Sequence, residues 1–198
     1  MSSGTKLLAF SASNSRNSIN RTLIEHAVTR MQSGTLPNLE VEFVDLNDYE
    51  MPIYSIDRER QGGIPHEAQA FFDKIGTTNA IIVSFAEHNG SVTVAWKNIF
   101  DWMSRIEMKL WRGKPVVMLA ATPGPRAGAQ LLKNQQETAP FFGAEILGTL
   151  GIGKWTEAWD IEHQALVRPE DITALDALLD TLAIALGADG QIKGNGTP

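Results

Sequence analysis

Three short segments gather hydroxyls, amides and glycines where a chain can turn. In the first, Ser11, Ser13, Ser15 and Ser18 stand among Asn14, Arg16, Asn17 and Asn20. The segment lies just ahead of Ile19, Leu23, Ile24 and Ala27, which recur at helical spacing. A phosphate there would meet the positive end of a helix, free backbone N–H groups and the hydroxyls of Ser13, Ser15 and Ser18, with Asn20 on the first turn. Serine and asparagine also cap helices and fill loops, and that is the commoner reason to find them there.

The second segment is Glu87, His88, Asn89, Gly90 and Ser91. Gly90 permits close backbone approach to a flat ligand. A Glu-His pair suits proton transfer or metal binding, but no second cluster of histidine and carboxylates stands at ligand spacing, so a metal site is not expected. His26, His66 and His163 are scattered and read as structural or surface residues. The third segment runs Thr122, Pro123, Gly124, Pro125, Arg126, Ala127, Gly128. Its prolines stiffen it, and its glycine N–H groups could bond the edge of a heteroaromatic ring or belong to a plain turn.

Other motifs fall away. Gly148 to Lys154 resembles a phosphate-binding GxxxxGK loop, yet Trp155 stands where a Ser or Thr would hold magnesium, and the run follows the last strand rather than the first. No serine sits in a G-x-S-x-G elbow, which removes that class of acyl transfer. The chain has no cysteine, so thiolate catalysis, disulfide exchange and iron–sulfur clusters are excluded, and redox chemistry would need a cofactor.

These segments need elements to position them. Leu7–Phe10, Ala80–Ala86 and Pro115–Ala121 are apolar runs free of charge, as befits strands inside a parallel sheet. Leu39–Val44 alternates, as expected nearer a sheet edge, and Ala144–Ile152 reads as a fifth strand. Between them, Trp96, Ile99, Phe100, Met103 and Ile106 mark a helix that buries one face, with further helices over 66–75, from Ala127 to about Gln136, and from Pro169 to Leu186. Five strands alternating with five helices predict an α/β three-layer sandwich with a five-stranded parallel sheet in the flavodoxin-like order 2-1-3-4-5. Ligands then bind beyond the carboxyl ends of the first and third strands, where the three segments converge.

Length and charge agree. The chain has 198 residues, 43% hydrophobic and 20% charged, which suits one domain over 1–186, with a glycine-rich tail over 187–198 expected to fray. A net charge of -6 and the lack of a basic block argue against a nucleic-acid partner. With no apolar run long enough to span a bilayer and no secretory signal, a cytoplasmic setting is expected. The irregular stretch from Asn47 to about Pro65 is a candidate for function.

The three loops together resemble the NADPH-dependent FMN reductase family of quinone, chromate and azo-dye reductases. Ala12 to Asn20 is similar to its G-S-x-R-x-x-S-x-N phosphate loop, Met51 to Tyr54 to its L-P-x-Y segment, and Glu87 to Ser91 to its P-E-Y-N-G-S flavin loop. Trp96 to Arg105 resembles L-K-N-A-I-D-W-x-S-R, and Ala121 to Gly128 resembles A-S-P-G-G-x-G-G. The resemblance implies FMN and NADPH or NADH, hydride transfer to the flavin and onward to a quinone-like oxidant, and a homodimer or homotetramer. It also implies flavin contacts from Ser13, Ser15, Arg16, Ser18, Ile19, Asn20, Glu87, His88, Asn89, Gly90, Thr122, Pro123 and Gly124, with Tyr54 on the substrate side. No catalytic side chain is needed, because the flavin carries the chemistry. Arg16 falls one place later than the family arginine, Ala86 and His88 replace a proline and a tyrosine, and Pro125 and Ala127 replace glycines. An FMN-binding electron carrier without pyridine-nucleotide chemistry is the alternative, although such carriers commonly enclose the ring with loop aromatics, which these loops lack.

Overall fold

The computed structural model describes residues 5–34, 36 and 38–192, with side chains as far as residue 187. Five strands form one parallel sheet: β1 (Lys6–Ala12), β2 (Glu40–Val44), β3 (Ala80–Phe85), β4 (Pro115–Ala121) and β5 (Glu145–Ile152). Their spatial order is β2-β1-β3-β4-β5, as expected from the sequence. β1 and β3 run in register from Leu7 opposite Ala80 to Ala12 opposite Phe85, so both end at the same height. The charge-free runs are the central strands, and every residue of β3 is buried.

Helices cover both faces. On one lie α1 (Ile19–Ser33) and α7 (Pro169–Ile192), packed through Leu23, Ile24, Leu175, Leu179 and Leu182. On the other lie α3 (His66–Thr77), α4 (Val94–Ile106) and α5 (Ala129–Thr138), where Phe71, Trp96, Trp102 and Leu131 fill the core. Trp96 is the hub, with ring contacts to Phe10, Phe71, Phe85, Phe100 and Trp111. Trp102 is fully buried in the same core. Trp155 and Trp159 stack near α1 with centroids 5.0 Å apart.

Some elements differ from the sequence reading. The stretch 47–65 is partly ordered, with a 3-10 turn at Leu46–Tyr49 and a short helix α2 (Ile56–Gly62) capped by Ser55. Helical periodicity could not reveal α2, because it buries none of its residues. Two small hairpins stand apart from the sheet, Glu87–His88 with Ser91–Val92 between β3 and α4, and Trp159–Asp160 with Ala165–Leu166 between the turn α6 (Trp155–Ala158) and α7. The last helix runs past Gly187 to Ile192, and 193–198 lie outside the described residues. Among the described residues, no helix is long and apolar enough to cross a membrane.

Candidate flavin-binding cleft

The three polar segments leave the carboxyl ends of β1, β3 and β4 and surround a cleft of about 510 Å³. That volume lies within the usual range for small-molecule sites. Ser13, Ser15, Asn17, Ser18, Ile19 and Asn20 line one side; Ala86, Glu87 and His88 line a second; Thr122, Pro123, Gly124, Pro125 and Arg126 line a third.

On the first side, Ser18 caps α1 by accepting the Arg21 N–H at 3.4 Å, and its hydroxyl lies 3.3 Å from that of Ser11. Ser13 Oγ accepts the Ser15 N–H at 3.2 Å, which leaves its own proton available. The N–H groups of Ile19 and Asn20 fall in the first turn, where an α-helix offers no internal acceptor. Hydroxyls and uncapped N–H groups at a helix start form a donor set suited to a phosphate ester.

The Asn20 side chain has a structural duty as well. It is 2% exposed; its Nδ2 donates to the Ala121 carbonyl at 3.0 Å, and its Oδ1 accepts from the Ala121 N–H and the Ser84 hydroxyl, both at 2.7 Å. The amide ties the start of α1 to the ends of β3 and β4, so Asn20 positions the loops; its Oδ1 is fully engaged, while its backbone N–H and the second Nδ2 proton remain as donors. Arg16 is exposed and does not line the cleft.

On the second side, Asn89 and Gly90 have φ of 54° and 79° and form the two-residue turn of the hairpin 87–92. An Asn-Gly pair with positive φ at both positions matches the type I′ turn that suits strand twist. The pair therefore shapes the loop that presents Glu87 and His88, and it borders an adjoining hollow of about 570 Å³ with Glu87, Arg126, Ala129 and Gln130. Thr93 then caps α4 through the Trp96 N–H and donates its hydroxyl to the Ala12 carbonyl at 3.0 Å, joining this loop to the end of β1.

The third side is braced by β5. Thr122 N–H donates to the Ile152 carbonyl, and Lys154 N–H donates to the Gly124 carbonyl. A Cβ at Gly151 would come within 2.0 Å of the Ala127 carbonyl oxygen, and one at Gly153 within 2.9 Å of that of Gly124. The glycines of the GxxxxGK-like run thus let the strand end pass beneath the third loop, and the run is a strand end as expected. A Cβ at Gly124 meets nothing, so that wall is open toward the cleft.

Tyr54 is not brought to the cleft. Its N–H donates to Asn98 Oδ1 at 2.8 Å, its hydroxyl donates to Glu59 at 3.0 Å, and its ring packs edge-on against Trp102. The 51–54 segment is stitched to α4 by Asn98 and Trp102, whose side chains both donate to the Pro52 carbonyl. Beside it, a hollow of about 300 Å³ lined by Tyr49, Met51, Ile53, Val94 and Ile99 meets the cleft at His88. Asn17, Ala86, Pro125 and Arg126 line the cleft as well, although none is among the contacts expected from the sequence, and Arg126 is the charged one of the four. Its loop was singled out, but an exposed arginine in a Pro/Gly turn carries no local signal of which way it faces.

The family model for NADPH-dependent FMN reductases matches residues 5–157, which takes in all three loops and all five sheet strands. The chain belongs to the NADPH-dependent FMN reductase family. Among relatives of this FMN reductase family member, the quinone reductase of Escherichia coli (strain K12) is 26% identical over 127 residues, covering 64% of this chain and 63% of that one. The chain thus matches somewhat under two thirds of that relative's length. The NAD(P)H-dependent FMN reductase of Pseudomonas aeruginosa is 27% identical over 147 residues, covering 74% of this chain and 76% of the relative. The solved structure of FerB, a flavoenzyme NAD(P)H:(acceptor) oxidoreductase from Paracoccus denitrificans, superposes with a TM-score of 0.73 at 19% identity, covering 93% and 98% of the two chains. At that identity the likeness speaks for the flavodoxin-like fold.

Proposed function

We propose that this family member binds FMN in the cleft of the three loops and works as an NAD(P)H-dependent reductase that passes electrons to a quinone-like or other small oxidant. One observation carries the reading: a single cleft beyond the strand ends has a phosphate-suited donor set at the start of α1 and a stiff, open Pro/Gly wall opposite. When bound, FMN supplies the ring that accepts hydride from the nucleotide and returns it to the oxidant, in two successive half-reactions.

The side chains bind and orient. Ser13, Ser15 and Ser18 with the N–H groups of Ile19 and Asn20 hold the phosphate end, and the helix dipole favours its charge. Glu87, His88, Thr122, Pro123 and Gly124 line the ring end, while Asn89 and Gly90 set the hairpin. The Asn20 bridge keeps the loops at fixed separation, so the donors are preorganised. No nucleophile is required. Ile53 and Val94, 63% and 70% exposed beside the cleft, are apolar surface that a second copy of the chain would cover, in keeping with a homodimer or homotetramer.

Anaerobic titration of the FMN-loaded protein with NADPH, followed by visible flavin absorbance, tests the reading. Stoichiometric bleaching is expected. Flavin that binds yet stays oxidised under NADPH and NADH would turn the reading to an electron carrier.

A further inference from the structure

Beside the flavin cleft lies a second open space of about 570 Å³, lined by Glu87, Asn89, Gly90, Arg126, Ala129 and Gln130. Arg126 and Glu87 border both spaces, so the two are continuous across their rim. Arg126 is exposed, and its guanidinium has no hydrogen bond, ion pair or ring contact within the described residues. It is also the one lysine or arginine among the residues lining either space. On a chain of net charge -6, an unpartnered guanidinium at the mouth of a cleft is a local reversal of the field.

We propose that this second space takes the ADP-ribose part of the pyridine nucleotide, with Arg126 as its pyrophosphate anchor and Glu87 accepting from ribose hydroxyls. The inference rests on the functional reading above. Arginine matches phosphate oxygens with paired donors, whereas a carboxylate matches sugar hydroxyls, and a pyridine nucleotide presents both groups beyond its nicotinamide. Asn89 and Gln130 add amide donors along the same walls, and Gly90 leaves its side of the wall free of a side chain. The residues lie on the hairpin 87–92 and the β4–α5 loop, both already braced, by Thr93 and by the strand end at Gly151. A nucleotide held there would reach the flavin cleft over the shared rim without displacing the serines of α1.

ADP-ribose tests this directly, since it carries the pyrophosphate and both riboses but no nicotinamide and undergoes no redox step. Its affinity for the FMN-loaded protein would be measured by calorimetry at two salt concentrations, for wild type, Arg126→Ala, Arg126→Lys and Lys133→Ala. Lys133 on the outer face of α5 controls for loss of one surface charge. The expected result is an affinity loss of about tenfold and a flatter salt dependence for Arg126→Ala, partial recovery in Arg126→Lys, no change in Lys133→Ala, and FMN retention equal to wild type in all. ADP-ribose binding to Arg126→Ala as tightly as to wild type would overturn the proposal. So would a matching loss of FMN in Arg126→Ala, which would put the guanidinium on the flavin phosphate. So, too, would wild type that is bleached by NADPH yet shows no ADP-ribose binding, an outcome that leaves the functional reading standing.

Discussion

Asn20 and Ala121 are 101 residues apart in the chain and are joined twice, Asn20 donating to the Ala121 carbonyl at 3.0 Å and accepting its N–H at 2.7 Å. A side chain on the first turn of α1 thereby completes the hydrogen bonding of the last residue of β4, just where the third loop departs. Asn20→Ala would strand buried donors and acceptors that each cost about 1–3 kcal/mol when unpaired, so urea melts should show a loss of about 2–4 kcal/mol. Ser84→Ala should lose only about 1 kcal/mol, because Asn20 keeps the Ala121 N–H. If Asn20→Ala kept its stability and lost only FMN, the amide would belong to the phosphate instead.

The serines of the first loop should separate by measurement. Ser18→Ala removes the α1 cap and should lower stability by about 1 kcal/mol together with FMN affinity. Ser13→Ala should weaken FMN binding about tenfold, the worth of one hydrogen bond to a charged group, while the thermal midpoint without FMN stays near wild type. Equal flavin affinity in wild type and Ser13→Ala would remove that hydroxyl from the phosphate contacts.

Two glycines around the third loop should behave in opposite ways. Gly151→Ala places a Cβ against the Ala127 carbonyl, which is backbone and cannot swing aside, so a loss of about 1–3 kcal/mol and a loosened flavin are expected. Gly124→Ala meets open space, so the FMN-free protein should melt as wild type while FMN binds several-fold more weakly. Differential scanning with and without FMN reads both.

His26 offers a pH test far from the cleft. Burial, and next the nearby Arg30 guanidinium, hold its pKa below the usual histidine value, with Asp176 and the Gln164 backbone opposing. Among the described residues its Nε2 is buried with no hydrogen-bond partner, and its ring stands edge-on to Trp159. The unfolded chain therefore takes up a proton here before the folded one does. The stability contributed by neutral His26 is full above the unfolded value of 6.5 and is lost as pH falls from there toward the depressed folded pKa. Unfolding free energy measured at pH 7.5 and pH 5.5 should drop more in wild type than in His26→Leu, and equal slopes would refute the account.

Tyr54→Phe loses the Glu59 bond but regains water there, so it should leave stability near wild type and FMN affinity and the rate of bleaching by NADPH unchanged. A slower bleaching would return Tyr54 to the substrate side, by a movement of the 51–54 segment.

The strands, their order and the three loops were legible in the amino-acid sequence because each depends on local signals. Charge-free runs at Leu7–Phe10, Ala80–Ala86 and Pro115–Ala121 can only be buried strands, and alternation with helical spacing leaves few topologies. The helix α2 escaped because an element that buries nothing has no apolar period, and α4 was found because Trp96, Ile99 and Met103 bury one face. Which polar side chains are free to bind was decided only by the tertiary structure. Asn20 stands in a loop that reads as ligand-binding, and folding engages its side-chain amide with Ser84 and Ala121, from strands 64 and 101 residues away. Arg126 looked like a turn residue, and folding left it without a side-chain partner among the described residues, between two clefts. A hydrogen bond formed across the sheet leaves no trace in the residues on either side of it, so a side chain's availability is a property of the packed molecule, whereas a strand's burial is written in its own composition.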